Sequence, residues 1–161
     1  MRLSTTDIYA FKALAFLGLQ DPNAWIHSDS IAESTHIPKP YLMRLLAALS
    51  SLELVATKKG AGGGYKLAKP AQEIPLSDVL RAIDGPVAAL SCASRNWHKS
   101  CPEEPHCHAR SRIWIRIRDA ILAVLENTSV QDLVEDAAQG TDYMLCLEHL
   151  LRPTDFSLSK H

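Results

Sequence analysis

Cys92, Cys101 and Cys107 fall within sixteen residues, in the stretch SCASRNWHKSCPEEPHC, interleaved with His98 and His106 and followed by His108. Thiolate is a soft ligand that suits iron–sulfur clusters, zinc or Cu(I). Three sulfurs at this density favour a metal or cluster site over inert surface thiols, with a thiol redox switch as the other chemical reading. A fourth cysteine, Cys146, lies far along the chain among Tyr143, Met144, Leu147 and Leu150. Those apolar neighbours predict burial rather than ligation there.

Such a loop needs a frame. The chain has 161 residues, 47% hydrophobic and 22% charged, which predicts a globular, soluble domain with an appended element. No apolar run reaches the roughly 18 residues of a membrane-spanning helix. MRLSTTD lacks the basic and apolar regions of a signal peptide, so the expectation is a cytoplasmic protein. Stable disulfides are rare in that compartment, and clustered cysteines there more often bind metal or do redox work. The net charge of −1 gives no global attraction to nucleic acid, so any DNA binding must come from a local basic patch. No paired carboxylates or nucleophile motif point to an enzyme.

The first 70 residues supply such a patch. Ser4 and Asp7 fit a capping box opening a helix over about 4–20, with Ile8, Phe11, Leu14, Ala15 and Gly18 at helical spacing. Ser28-Asp29 starts a short helix over about 28–35. His36 to Pro40 form a turn, and Pro40 suits the first turn of a third helix whose buried stripe is Leu42, Leu45, Leu46, Leu49 and Leu52. This is a helix-turn-helix. Its second helix presents Lys39, Pro40, Tyr41, Met43 and Arg44 near the end that reads base edges in the major groove. Leu54–Thr57 and Tyr65–Ala68 read as two strands around the turn Lys58-Lys59-Gly60-Ala61-Gly62-Gly63-Gly64. The glycines permit close backbone approach, and Lys58, Lys59 and Lys66 can meet phosphates. The glycine run lacks the Gly-Lys-Ser/Thr ending of a nucleotide loop. The fold expected is mainly α with a small β-wing: a winged helix-turn-helix plus a long dimerisation helix.

Pro75 to Ser77 open a connector helix that ends at Asp84-Gly85-Pro86. After the cysteines, Ile113, Ile117, Ala120, Ile121 and Val124 recur at helical spacing, flanked by Trp114 and Leu125. A stripe this apolar outside a small domain predicts pairing with a second copy through Ile113, Trp114, Ile117, Ile121 and Val124. Thr128 to Gln131 read as another capping box, opening a helix through Asp136; Gly140 is a break, and 141–151 could form one more amphipathic segment. The expected divisions are 1–70 winged helix-turn-helix, 71–90 connector, 91–108 cysteine loop, 109–138 dimerisation helix and following short helix, and 139–161 a partly disordered extension.

Met1-Arg2-Leu3-Ser4, Tyr41-Leu42, Gly62-Gly63-Gly64-Tyr65, the three-cysteine loop and Val130-Gln131-Asp132-Leu133-Val134 together resemble the Rrf-two-type winged-helix regulators over roughly residues 1–136. That group includes the iron–sulfur-cluster regulator, the nitric-oxide-sensing repressor and the rhizobial iron regulator. The resemblance implies a homodimeric repressor of promoter DNA in which Cys92, Cys101 and Cys107 hold a 2Fe–2S or 4Fe–4S cluster whose state alters DNA binding. It also implies DNA-facing roles for Tyr41, Arg44, Lys59 and Gly62 to Gly64. The sequence departs from the pattern where Arg110 takes the place of a histidine ligand, since arginine stays protonated. Candidate fourth ligands are Asp7, which matches the aspartate of the nitric-oxide sensors one residue early, His108 and His106, with His98, water or a small thiol behind them. Met43 replaces a glutamate that family members use to switch between DNA sites. The alternatives are a zinc site or thiol switch on the same DNA reader, and a winged-helix module that binds a protein.

Overall fold

The computed structural model describes residues 3–85, 87–88, 91–95, 98–108 and 110–139. Ser4 opens helix α1 (Thr5–Gly18). Its backbone N–H and hydroxyl donate to Asp7 Oδ2 at 2.7 and 2.8 Å, and the Asp7 N–H donates back to Ser4 Oγ at 3.2 Å. This is the expected capping box. Beyond it α1 is buried nearly all round, through Ala10, Phe11, Ala13, Leu14, Ala15 and Leu17. A helix apolar on every side belongs at the centre of a fold. Helices α2 (Ser28–Thr35), α4 (Leu76–Ile83) and α6 (Val130–Ala138) and the wing strand β2 (Gly64–Leu67) all pack against it.

The turn between α2 and α3 (Lys39–Ser51) runs through His36, whose φ of 55° is left-handed, and buried Ile37. The Pro38 carbonyl accepts from the N–H groups of Tyr41 and Leu42, both at 2.9 Å, setting the first turn of α3. Leu42, Leu45, Leu46 and Leu49 form the buried stripe; each such side chain contributes about 1.5–3 kcal/mol on burial. Leu52, expected to continue the stripe, is 50% exposed. The helix ends one residue earlier, Glu53 turns the chain at φ 56°, and Leu54 takes the buried place instead.

Strand β1 (Val55–Lys58) pairs antiparallel with β2, Ala56 opposite Lys66 and Lys58 opposite Gly64. The hairpin sits one residue away from the expected bounds at each strand. Ile26 and Tyr65 exchange backbone bonds of 3.0 and 2.9 Å, adding the segment before α2 to the wing.

A π-helical turn (Arg110–Trp114) leads into α5 (Ile115–Glu126). The second capping box is Ser129 with Asp132, not Thr128 with Gln131: the Ser129 N–H and hydroxyl donate to Asp132 Oδ2 at 2.7 and 2.8 Å. Thr128 does not cap because its hydroxyl turns back onto the end of α5, donating to the Val124 carbonyl at 2.9 Å. Helix α6 then returns to the winged-helix core through Val130, Leu133 and Val134. Reciprocal bonds, Leu76 N–H to Thr128 O at 2.8 Å and Val130 N–H to Ile74 O at 2.9 Å, pin it beside the start of α4. The expected break at Gly140, the segment 141–151 and Cys146 lie outside the described residues.

Candidate nucleic-acid interface and cysteine loop

Lys39, Pro40, Tyr41, Met43 and Arg44 are all exposed at the N-terminal half of α3. The wing stands beside them, leaving an open groove of about 670 Å³ lined by His27, Met43, Ala47, Lys58, Lys59 and Tyr65. The Tyr65 hydroxyl contacts Met43 Sδ at 3.8 Å, joining wing to helix. Among the cations the structure distinguishes two kinds. Lys39 Nζ is paired with the exposed carboxylate of Asp29, which cancels much of its field. Lys58, Lys59 and Lys66 lie on the wing, and the first and last stand over the ring of Trp25. The three consecutive glycines divide as well. Gly62 is open, whereas Gly63 and Gly64 are buried. A β-carbon at Gly63 would lie 2.1 Å from the Lys58 carbonyl oxygen, and one at Gly64 would lie 2.5 Å from that of Ile26. Gly63 closes the turn, and Gly64 admits the backbone of Ile26.

The N-terminus of α1 touches the recognition helix directly. Thr6 Oγ1 is hydrogen-bonded to the Tyr41 hydroxyl, and the rings of Tyr9 and Tyr41 meet edge to face with centroids 5.4 Å apart. Asp7 is 1% exposed, and its Oδ2 takes both capping-box bonds from Ser4. Burial, the Asp7 charge and an Asp7 hydrogen bond together hold the Asp84 carboxyl above the usual carboxylate range. The Asp84 carboxyl, favoured in its protonated form, is the donor that meets the buried Asp7 carboxylate.

The cysteine loop is anchored to α5 at its start. Arg118, on α5, donates to the carbonyl of Ala93, and Arg95 pairs with Asp119 at 2.8 Å. Two arginines beside Asp119 hold its carboxyl below the usual range, led by the hydrogen bond from Arg118. Farther on, the Glu104 carboxylate organises the turn: it pairs with His98 Nε2 at 3.2 Å and accepts from the Cys101 N–H at 3.4 Å. Cys101 is exposed, while Cys92 and Cys107 are half-buried. His106 and His108 are exposed. Among the described residues no three His, Cys, Asp or Glu side chains converge on a metal position, so this conformation does not fit a cluster.

Two of these groups were not legible in the sequence. Trp25 gains its role from lysines more than thirty residues away, and Glu104 from a turn with no strong propensity. Lys12 did carry a signal: it is 1% exposed in α1, one helical turn beyond Ile8 on the apolar face.

Comparison with known proteins settles the class. The Rrf2 family, described as an iron-dependent transcriptional regulator, matches residues 3–136. The chain belongs to the Rrf2 family of transcriptional regulators. It is 31% identical over 133 residues to the HTH-type transcriptional regulator CymR of Bacillus subtilis, covering 83% of this chain and 89% of that one. It is 32% identical over 136 residues to the regulator IscR of Pectobacterium atrosepticum, covering 84% and 80%. Among solved structures, that of CymR, the global cysteine regulator of B. subtilis, superposes with a TM-score of 0.67 at 30% identity, covering 84% of this chain and 97% of that one. T. potens IscR gives 0.66 at 26% identity, covering 88% and 91%. These Rrf2 relatives are transcription regulators, not enzymes, and they share the winged-helix architecture seen here.

Proposed function

We propose that this Rrf2 regulator binds promoter DNA as a homodimer and represses from it, with the cysteine loop as the regulatory segment. The observation that carries the DNA reading is the groove itself. The exposed half of α3 and the lysine-bearing wing flank one concave surface, and no carboxylate lines it. Tyr41, Met43 and Arg44 reach base edges from α3, Gly62 lets the wing tip approach the backbone, and Lys58, Lys59 and Lys66 meet phosphates. Pairing rests on the outer face of α5 and the turn before it, where Ile113, Ile117 and Val124 are 51%, 42% and 66% exposed. Ile121 and Trp114 flank that stripe.

The loop docks on the same α5 through Arg118 and Arg95, so chemistry at its thiols reaches the pairing helix. An iron–sulfur cluster on Cys92, Cys101 and Cys107, with Asp7, His108 or His106 as fourth ligand, is the finer reading. Three thiols in one loop and the family's iron-dependent description support it. It requires the Glu104-centred turn to open, because the donors are apart in this conformation. A thiol switch without metal is the second reading, favoured by the exposure of Cys101.

The test is selection of duplexes from a random pool by anaerobically purified protein, with iron and sulfide counts and an absorption spectrum on the same sample. The expected result is enrichment of a near-palindromic site and a coloured, iron- and sulfide-containing protein. A pool that never enriches would overturn the DNA reading. A colourless, iron-free protein that resists reconstitution would overturn the cluster and leave the thiol switch.

A further inference from the structure

The wing holds a second cationic feature on the face that carries Trp25. The reciprocal bonds between Ile26 and Tyr65 set a local antiparallel register in which Trp25 stands opposite Lys66. Side chains alternate along strands, so Trp25, Lys66, Ala56 and Lys58 share one face, while Val55 and Tyr65 turn toward the core and α3. Lys66 Nζ lies 5.1 Å and Lys58 Nζ 5.8 Å from the centre of the Trp25 ring. Both distances fall within cation–π range, and indole is the best of the aromatic partners. Lys66 Nζ also donates to the Pro22 carbonyl at 3.1 Å. Among the described residues neither lysine meets a carboxylate.

That last point separates this pair from Lys39. An acidic partner fixes a lysine but cancels its charge, as Asp29 does for Lys39. An aromatic face fixes the stem and head while leaving the full positive charge to act outward. Two long side chains held in advance lose less conformational freedom when they meet a phosphate.

We propose that Trp25 is a positioning residue for DNA binding, holding Lys58 and Lys66 as paired, un-neutralised charges for the phosphate backbone beside the groove the wing enters. The inference rests on the DNA-binding reading above. Trp25 touches no base in this account and acts through the two lysines.

The test uses the full chain with tryptophan, monofluoro-, difluoro- and tetrafluorotryptophan placed by suppression at position 25. Fluorination withdraws charge from the ring face with little change of shape, which a purely structural role would not register. Affinity is measured for a 30-base-pair random-sequence duplex and for a duplex selected by the wild-type protein, and circular dichroism checks the fold. Affinity should fall stepwise across the series, by about three- to tenfold at the tetrafluoro end. The trend should vanish in a Lys58→Gln, Lys66→Gln background. A flat series, or an equal fall in both backgrounds, would overturn the proposal. A wild-type chain that binds neither duplex would overturn the DNA reading on which it stands.

Discussion

At Gly64 an added methyl group would meet backbone, 2.5 Å from the Ile26 carbonyl oxygen, and the wing would have to release the Ile26–Tyr65 bridge to admit it. Gly64→Ala is therefore expected to destabilise the fold by more than about 1 kcal/mol and to weaken DNA binding with it. Gly62 faces open space, so Gly62→Ala should stay within about 0.5 kcal/mol of wild type. Thermal unfolding of the two variants checks the difference. Lys59, at the start of the turn, is exposed. Lys59→Ala should weaken binding to all duplexes alike and reduce the slope of log affinity against log salt by about 2, about 1 for each protomer of the dimer. An unchanged slope in a salt titration would remove Lys59 from the phosphate contacts. The lysines and glycines of this turn were readable from residue type alone, because few folds need that composition. The division of labour among the glycines was not, since it depends on which carbonyl each one faces.

Helices were legible where caps and periodicity agreed. Ser4 with Asp7 started α1 as expected, and the Leu42 to Leu49 stripe of α3 faced the core. Periodicity tells which face is apolar and not what covers it. Helix α6 follows the apolar stripe of α5 in the chain, and it packs on α1 through Val130, Leu133 and Val134. Likewise α5 has two apolar sides: Leu122 is buried against its own domain, while Ile117 and Val124 stay exposed. The cap of α6 can be tested by pH. Backbone and side-chain hydrogen bonds from Ser129 hold the Asp132 carboxyl below the usual range. A carboxyl with a lowered folded-state pKa stabilises above its unfolded value, near 3.9, and that stabilisation is lost as pH falls through the folded value. Asp132→Asn should thus lower the melting temperature at pH 7, and the deficit should shrink as the pH drops below about 4. A deficit independent of pH would assign the effect to shape rather than charge.

Across the whole molecule, the reading surface and the pairing surface lie on different elements, joined by α4 and by the cysteine loop docked on α5. Ile117→Asp with Val124→Asp places charge on the exposed stripe without touching the core. The expected result is a folded monomer by sedimentation equilibrium, with DNA affinity reduced at least about tenfold because two half-sites no longer act together. A dimer that persisted would move the interface elsewhere. The loop is where sequence and structure diverge most. Density of thiols pointed to a shared inorganic ligand, but ligand geometry depends on turns that His98, Glu104 and the Cys101 amide hold in another arrangement.

The central claim is that loop thiol chemistry sets the grip on DNA. The direct measurement is affinity for the selected duplex before and after iron chelation and oxidant treatment, in wild type and in the Cys92→Ala, Cys101→Ala, Cys107→Ala triple variant. The account predicts at least about a fivefold change for wild type, roughly 1 kcal/mol, and no change for the triple variant. Equal behaviour of the two proteins, whether both respond or neither does, would contradict it.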